Sequence, residues 1–221
     1  MAEIRYVWEL PVRITHWVNA VCIVVLSFTG FYIGHPFFSS AEGGWIMGWN
    51  RFIHFSFGYL FALSLLTRFI WFLLGNKYSS WRMYKPWFTK RGRQSAFKFL
   101  RYYTFTGKEI PYETGHNPLA CLAYAFVLGL FAFQILSGFA LYGMFEPGSF
   151  WDGTLGWLAV AFNPQWLRFT HHLVMWLLIG FVINHVYSAW LMDVKEMNGT
   201  MSSIFSGYKF IEREDLKYEI D

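Results

Sequence analysis

Four long apolar segments constrain this chain more than any other feature of its sequence. Each is long enough for a helix that rises about 1.5 Å per residue to cross roughly 30 Å of hydrocarbon. We predict transmembrane helices near residues 14–33, 52–74, 118–142 and 168–192. None of these segments has the apolar-polar alternation of a barrel strand. The sequence therefore predicts an all-α membrane protein, folded as a four-transmembrane-helix bundle.

The composition agrees with a membrane location and disfavours the soluble classes. Hydrophobic residues make up 55% of the 221 residues and charged residues only 14%, which is unusual for a soluble domain. The net charge is +4, but the basic residues concentrate in one loop between spans, so we infer no nucleic-acid partner. Cys22 and Cys121 lie in separate apolar segments, which leaves no disulfide framework and no Cys-x-x-Cys-His motif for covalent haem.

The charge of the connecting segments predicts the orientation in the membrane. Segment 76–117 contains nine Lys or Arg residues, whereas segments 34–50 and 143–166 contain none. The positive-inside rule places 76–117 in the cytoplasm, and both termini with it. The tail, 193–221, carries charges of both signs and is expected to be a solvated cytoplasmic segment. We therefore treat 1–221 as a single multi-pass domain of the cell inner membrane, with the first span kept as a helix rather than cleaved as a signal peptide.

Four of the seven histidines lie within the predicted spans, at two depths. They are His16 in the first span, His54 in the second, and His171 and His185 in the fourth. The last two are fourteen residues apart, so they lie within about 40° of one helical face and roughly 21 Å apart along the axis. His172 is about 140° away from His185 around the helix. His172 is therefore not expected to act with the other four.

The two depths pair His54 with His171 near the outer face, and His16 with His185 nearer the cytoplasm. Two imidazoles that face each other across a bundle can supply both axial nitrogens of a haem iron. An arginine also stands three residues before three of these histidines: Arg13, Arg51 and Arg168. This spacing puts each arginine on the histidine's face and one turn nearer the membrane surface, where haem propionates would point. The pattern favours two bis-histidine b-type haems. Structural histidines and a transported-metal or proton site stay open as alternatives.

The third predicted span carries no histidine and is expected to serve as packing. Its small residues Gly129, Ser137 and Gly138 would permit close approach of a neighbouring helix. In the first two spans, Gly30 and Gly58 are expected to admit a porphyrin face.

Several fragments, in their order and spacing, carry a resemblance to a known family. They include PVRITHW at 11–17, RFIHF at 51–55, GHNPLA at 115–120, HHLVMW at 171–176 and HVY at 185–187. Along essentially its whole length the chain resembles the b-type cytochrome subunit of membrane-bound nickel-iron hydrogenases. The resemblance implies two haems b at the four histidines that the geometry selects. It also implies an iron-sulfur small subunit and a nickel-iron large subunit as partners, docked on the outer face.

The function predicted from these features is electron transfer. Electrons would pass from the partner's iron-sulfur clusters to the outer haem, the inner haem and then a quinone near the cytoplasmic face. His116 and Asn117 are candidates to hydrogen-bond the quinone, although Pro118 makes a plain helix-start turn an alternative. The chain lacks paired Cys-x-x-Cys motifs that would hold nickel, so hydrogen activation is expected in a partner. The alternatives are a formate dehydrogenase cytochrome b subunit or a related oxidoreductase subunit, and a non-haem membrane anchor.

Overall fold

The computed structural model describes residues 2–37, 45–104, 106–107, 118–197 and 199–212. Its elements follow in the order β1 (Ala2–Tyr6), α1 (Leu10–Gly34), α2 (Trp45–Leu74), a 3-10 helix (Trp81–Phe88), α3 (Lys90–Tyr103), α4 (Pro118–Phe145), α5 (Phe150–Phe162), α6 (Pro164–Glu196), α7 (Thr200–Ser206) and β2 (Tyr208–Glu212). By clustering of contacts the chain divides into two compact units. The first comprises Met1–Ile14, Thr67–Val127 and His185–Asp221, and the second comprises Thr15–Leu66 and Leu128–Asn184.

The four predicted spans are confirmed as helices. Among the described residues, four helices are long and apolar enough to cross a membrane: Leu10–Gly34, Trp45–Leu74, Pro118–Phe145 and Pro164–Lys195. All of them extend past the predicted bounds, and α2 begins seven residues earlier than the predicted 52. The extra turns carry tryptophan, glycine and polar residues, which lower the hydropathy but suit the headgroup level of a bilayer.

A short two-stranded sheet in the first unit accompanies the helices and was not predicted. Strands β1 and β2 pair antiparallel, with Tyr6 opposite Tyr208. Ile211 is fully buried and Lys209 is only 6% exposed. The prediction that the whole tail is a solvated segment is therefore wrong for β2. The sequence concealed this strand because five residues of mixed charge are too short for a period-two pattern to stand out.

The turn between α7 and β2 joins the two strands to the start of α1. Gly207 ends α7 with a φ of 91°, a conformation that favours glycine. Its carbonyl accepts from the amides of Val7 and Trp8 at 2.8 and 3.1 Å. A Cβ at this position would lie 2.7 Å from the Tyr6 ring and 2.8 Å from the Trp8 carbonyl oxygen. The indole of Trp8 also donates to Ser203 Oγ at 2.9 Å.

A carboxylate network in the same unit ties the start of α1 to the end of α2. Glu9 Oε2 accepts from Trp71 Nε1 at 3.0 Å, from the Asn76 amide at 2.8 Å and from Ser79 Oγ at 2.8 Å. Arg68 donates to the Ser79 carbonyl at 2.9 Å. Burial alone would raise the pKa of the Glu9 carboxyl, but these hydrogen bonds and the Arg68 charge outweigh it and hold the pKa below its usual value.

The second unit contains a helix that the sequence reading did not predict. Helix α5 lies within 143–166, which the sequence marked only as a segment that connects two spans. The Trp151 indole stacks on Phe139 of α4, with ring centroids 4.0 Å apart, and donates to the Tyr59 hydroxyl at 2.6 Å. A Cβ on Gly143 would lie 2.6 Å from the Asp152 amide nitrogen, so α4 and α5 approach closely there. Side chains of α2, α4 and α5 therefore pack together in this unit.

Candidate functional site

His54, on α2, hydrogen-bonds a hydroxyl of α1 in the second unit. Its Nδ1 lies 2.9 Å from Thr29 Oγ1, and the same hydroxyl donates to the Val25 carbonyl at 2.7 Å. A hydroxyl has only one hydrogen, so Thr29 must accept from His54. Nδ1 of His54 therefore carries the ring hydrogen, and Nε2 keeps its lone pair.

His171, on α6, repeats this arrangement against α4. Its Nδ1 lies 2.8 Å from Ser137 Oγ, and that hydroxyl donates to the Phe133 carbonyl at 2.6 Å. The same hydrogen count assigns the ring hydrogen of His171 to Nδ1 and a lone pair to Nε2. Two histidines on different helices are thus held in the same tautomer by the same device.

Each of these hydroxyl residues is followed by a glycine that admits the imidazole. A Cβ on Gly30 would lie 3.1 Å from His54 Cε1, and a Cβ on Gly138 would lie 3.3 Å from His171 Cε1. The His54 ring lies against Gly30, and contact between Gly30 and a porphyrin stays a prediction. Ser137 is more than a small packing residue, and Thr29 was missed by the sequence reading altogether.

Two other glycines singled out in the sequence face open space. A Cβ on Gly58 or Gly129 would meet no atom of the described residues within 4 Å. The expected close helix approach at Gly129 is therefore not found within the described part of the chain. For Gly58, contact with a porphyrin stays a prediction.

The structure brings the outer pair of histidines into one neighbourhood. His54 on α2 and His171 on α6 belong to the same unit. Among the described residues, no group of three or more His, Cys, Asp or Glu side chains forms a metal site. Any metal chemistry at this place would therefore use a pair of imidazoles, each with a free lone pair on Nε2.

His172 is adjacent to His171 in sequence but lies in a different environment. Its Nδ1 donates to the Arg168 carbonyl at 3.1 Å. A Cβ on Gly34 would lie 2.6 Å from His172 Nε2, and farther from both ring carbons that flank this nitrogen. The α1 backbone at Gly34 thus occupies the direction of the Nε2 lone pair. This contact argues against His172 as a ligand, independently of the helical-face argument.

The inner pair of histidines falls in two different units. The His16 ring packs edge-on against Trp17 in the second unit, with centroids 5.2 Å apart. The His185 ring lies edge-on to Tyr124 in the first unit, with centroids 6.2 Å apart. The pairing of His16 with His185 stays a prediction.

The three arginines have three different environments. Arg13 donates to the Phe205 carbonyl of α7, and its Nε is buried without a hydrogen-bond partner among the described residues. The Arg51 guanidinium lies 4.9 Å from the centre of the Phe145 ring. The Arg168 side chain is exposed. The contact of these arginines with haem propionates stays a prediction.

The two candidate quinone residues, His116 and Asn117, lie outside the described residues. The helix that follows them, α4, begins at Pro118 as predicted. The Pro118 carbonyl accepts from Trp87 Nε1 at 2.8 Å, which fastens the start of α4 to the 3-10 helix.

The sequence model of the prokaryotic cytochrome b561 family matches residues 7–207 of this chain. The chain belongs to this family. The matched region begins and ends at two residues that hydrogen-bond, since the Val7 amide donates to the Gly207 carbonyl at 2.8 Å. The family match therefore extends from the end of β1 to the turn that starts β2.

Curated relatives carry a common description. The protein from Cupriavidus necator, named probable Ni/Fe-hydrogenase B-type cytochrome subunit, is 40% identical over 210 residues, which is 92% of this chain and 86% of the relative. A protein of the same name from Bradyrhizobium diazoefficiens is 40% identical over 91% of this chain and 84% of its own length. The Escherichia coli K12 protein, named probable Ni/Fe-hydrogenase 1 B-type cytochrome subunit, is 36% identical over 93% of this chain and 90% of its own length.

Membership of this family implies a multi-pass membrane cytochrome with haem b. The donors of the second unit fit this cofactor. Haem iron takes axial imidazole nitrogens, and the hydroxyls of Thr29 and Ser137 leave Nε2 of His54 and His171 in the unprotonated form that ligation requires. The hydroxyl partners also fix the ring orientation, as outer hydrogen bonds commonly do for metal-binding histidines.

Proposed function

We propose that this chain is the dihaem cytochrome b subunit of a Ni/Fe-hydrogenase in the cell inner membrane, with both termini cytoplasmic. It anchors the large nickel-iron subunit and the iron-sulfur small subunit, and it passes electrons from the small subunit through two haems b to quinone. The single observation that carries the proposal is the matched hydrogen bond between Nδ1 and a helix hydroxyl at both His54 and His171, in a chain of this family.

The outer haem is assigned to His54 and His171. Bound there, haem supplies the one-electron chemistry, since its iron changes oxidation state while the protein sets the potential. Thr29 and Ser137 each accept the Nδ1 hydrogen of one ligand. This bond increases the basicity of the imidazole and keeps the ring from rotating about its side-chain torsions.

The inner haem is assigned to His16 and His185. Support comes from the depth of the two histidines in the predicted topology and from the family resemblance of their segments. Arg13, Arg51 and Arg168 are proposed to neutralise haem propionates. The buried Nε of Arg13 offers a donor that has no hydrogen-bond partner among the described residues, and burying such a donor is costly unless an acceptor reaches it.

The electron acceptor is proposed to be a quinone near the cytoplasmic face. His116 and Asn117, at the entrance to α4, are assigned to hydrogen-bond its oxygens. Support comes from their residue types and from their place in the sequence just before Pro118, whose carbonyl accepts from Trp87.

Haem content is the decisive measurement for this proposal. The purified protein should show a reduced b-haem spectrum with two haems per chain. His54→Ala and His171→Ala should each remove the outer haem alone, because each deletes one of its two axial ligands. His172→Ala, the matched control one residue away, should keep both haems. A colourless wild type would contradict the proposal, and loss of haem from the His172 variant but not from the His171 variant would redraw the ligand set.

The hydrogenase assignment needs a separate experiment. Membranes that contain the complex should reduce quinone with hydrogen, and deletion of this chain should abolish that activity while the detached hydrogenase still reduces a soluble dye. If formate rather than hydrogen drives reduction of the haems, the chain serves a formate dehydrogenase instead.

A further inference from the structure

Helix α3 of the first unit has a strongly basic surface that the proposed electron path does not use. It carries five basic residues: Lys90, Arg91, Arg93, Lys98 and Arg101. The sequence contains no Asp or Glu from residue 76 to residue 107. No carboxylate of this segment therefore balances the positive charge of α3.

The helix has two distinct faces. Gly92, Ala96 and Phe99 are buried, and a Cβ on Gly92 would lie 2.1 Å from the Pro86 carbonyl oxygen, so this face packs tightly on the 3-10 helix. The opposite face is open. Its residues line one shallow groove: Lys90, Arg93, Gln94, Phe97, Lys98 and Arg101.

Exposed aromatic side chains accompany the basic groove. Phe97, within the groove, is 60% exposed, and Phe88, at the end of the 3-10 helix, is 85% exposed. At a membrane interface, basic side chains meet the headgroups and exposed phenyl rings enter the acyl boundary, and α3 presents both kinds of side chain on its open face.

Contacts near both ends of α3 hold it beside the ends of two membrane spans. Next to its first turn, Trp87 donates to the carbonyl of Pro118, the first residue of α4. In its last turn, the Tyr102 hydroxyl hydrogen-bonds Lys195 Nζ, in the last turn of α6. The fourteen residues of α3 span about 21 Å at the helical rise. The helix is therefore tied to span ends at the level where headgroups lie.

We propose that this groove binds the anionic phosphodiester headgroups of phospholipids in the adjacent leaflet. Arginine suits this partner because its guanidinium can hydrogen-bond two phosphate oxygens at once. Lysine adds charge without demanding a geometry. The proposal commits to lipid rather than to a soluble acidic protein because α3 is fastened to span ends and presents the exposed phenyl ring of Phe97 together with its charges. It does not depend on the haem or quinone assignments.

Native mass spectrometry of the full-length chain with its bound cofactors tests this proposal. Phosphatidylglycerol is titrated into the detergent-solubilised protein, with phosphatidylcholine as the zwitterionic comparison. A basic residue near an anionic surface contributes about fivefold in affinity. The triple variant Arg93→Gln/Lys98→Gln/Arg101→Gln should therefore bind phosphatidylglycerol about 100-fold more weakly.

The matched control is Lys77→Gln/Arg82→Gln/Lys85→Gln. These three basic residues lie in the same connecting segment and their replacement changes the net charge equally, but they are outside the groove. The control should keep phosphatidylglycerol affinity within about threefold, because these three side chains do not line the groove and cannot contact a headgroup bound in it. Equal losses in the two triples would overturn the proposal, as would equal binding of the two lipids by the wild type. If the α3 triple loses its native haem spectrum or circular dichroism, Arg93→Gln alone should still weaken binding about fivefold.

A depth measurement separates lipid from a soluble acidic partner. A spin label at position 97, in a Cys22→Ser/Cys121→Ser background, is compared in bilayers with and without phosphatidylglycerol. Collision with dissolved oxygen should exceed collision with a water-soluble nickel chelate, because the label would sit below the headgroups. A label fully open to the chelate in phosphatidylglycerol bilayers would refute the lipid site and favour a soluble partner.

Discussion

Replacing Thr29 by valine isolates the role of the hydroxyl that holds His54. Valine keeps the branched shape of threonine but cannot accept the Nδ1 hydrogen, which Thr29 Oγ1 accepts at 2.9 Å. A donated Nδ1 hydrogen makes an axial imidazole more basic and favours ferric iron. Loss of the bond should therefore raise the midpoint potential of the haem that His54 ligates.

The size of the shift follows from the hydrogen bond. A hydrogen bond contributes about 1 kcal/mol net, and 59 mV corresponds to a tenfold change for one electron. If the bond served one oxidation state only, its loss would shift the potential by about 40 mV. The bond to His171 is of nearly equal length, 2.8 Å, so Ser137→Ala should produce a similar rise. Both imidazoles would ligate the same iron, so the double variant should raise the potential further than either single variant.

Spectroelectrochemical titration of the purified protein measures these shifts. Thr29→Ser and Ser137→Thr are the matched controls, since both keep a hydroxyl and should stay near the wild-type potential. The reasoning is refuted if Thr29→Val moves the potential no more than Thr29→Ser does, or moves it downward. It is also refuted if the shifted haem differs from the one that His54→Ala removes.

Three further predictions concern other parts of the chain. Gly34→Ala should lower the thermal unfolding temperature because its Cβ would meet His172 Nε2 at 2.6 Å, and adding His172→Ala should restore the temperature, with two haems bound in both variants. The pKa of the Glu9 carboxyl is lowered in the folded protein, so the ionised carboxylate stabilises the fold fully above the unfolded value of 4.5. This stabilisation is lost as the pH falls through the folded pKa. In Glu9→Gln, the free energy of unfolding should therefore depend less on pH below 4.5 than in the wild type. Asn117→Ala should slow quinone reoxidation in stopped-flow spectra while both haems still reduce, and normal reoxidation would place the acceptor elsewhere.

The sequence predicted the membrane helices because their signal is local. A run of about 20 apolar residues needs no information from the rest of the chain, and α4 begins at Pro118 as predicted. The separation of His172 from His171 was also accessible, because helical periodicity alone turns the two side chains apart. The structure supplies a second, independent reason in the contact with Gly34. Strand β2 was not accessible, since it gains its order by pairing with β1, about 200 positions away along the chain.

The hydroxyl partners of the histidines escaped prediction for a different reason. A serine or threonine in a membrane helix commonly donates to the carbonyl four residues earlier, as Thr29 and Ser137 do. That bond alone indicates no function. Its effect depends on the register between two helices, which decides whether the remaining lone pair meets an imidazole. The sequence pattern within α1 or within α4 does not reveal how each helix is aligned with its neighbour.

The glycine that follows each hydroxyl residue makes room for the imidazole that the hydroxyl binds. In α1 and again in α4, a hydroxyl uses its only hydrogen in a bond to a backbone carbonyl, so its oxygen can still accept one hydrogen bond. The glycine beside each hydroxyl leaves space for the edge of one imidazole ring. His54 and His171 fill these two places with Nδ1 facing the hydroxyl, so protein contacts alone select the Nε2 lone pair in both rings. Haem binding then requires no proton rearrangement and little loss of side-chain freedom at either ligand. The same logic predicts that the adjacent His172, whose Nε2 faces Gly34, binds no haem.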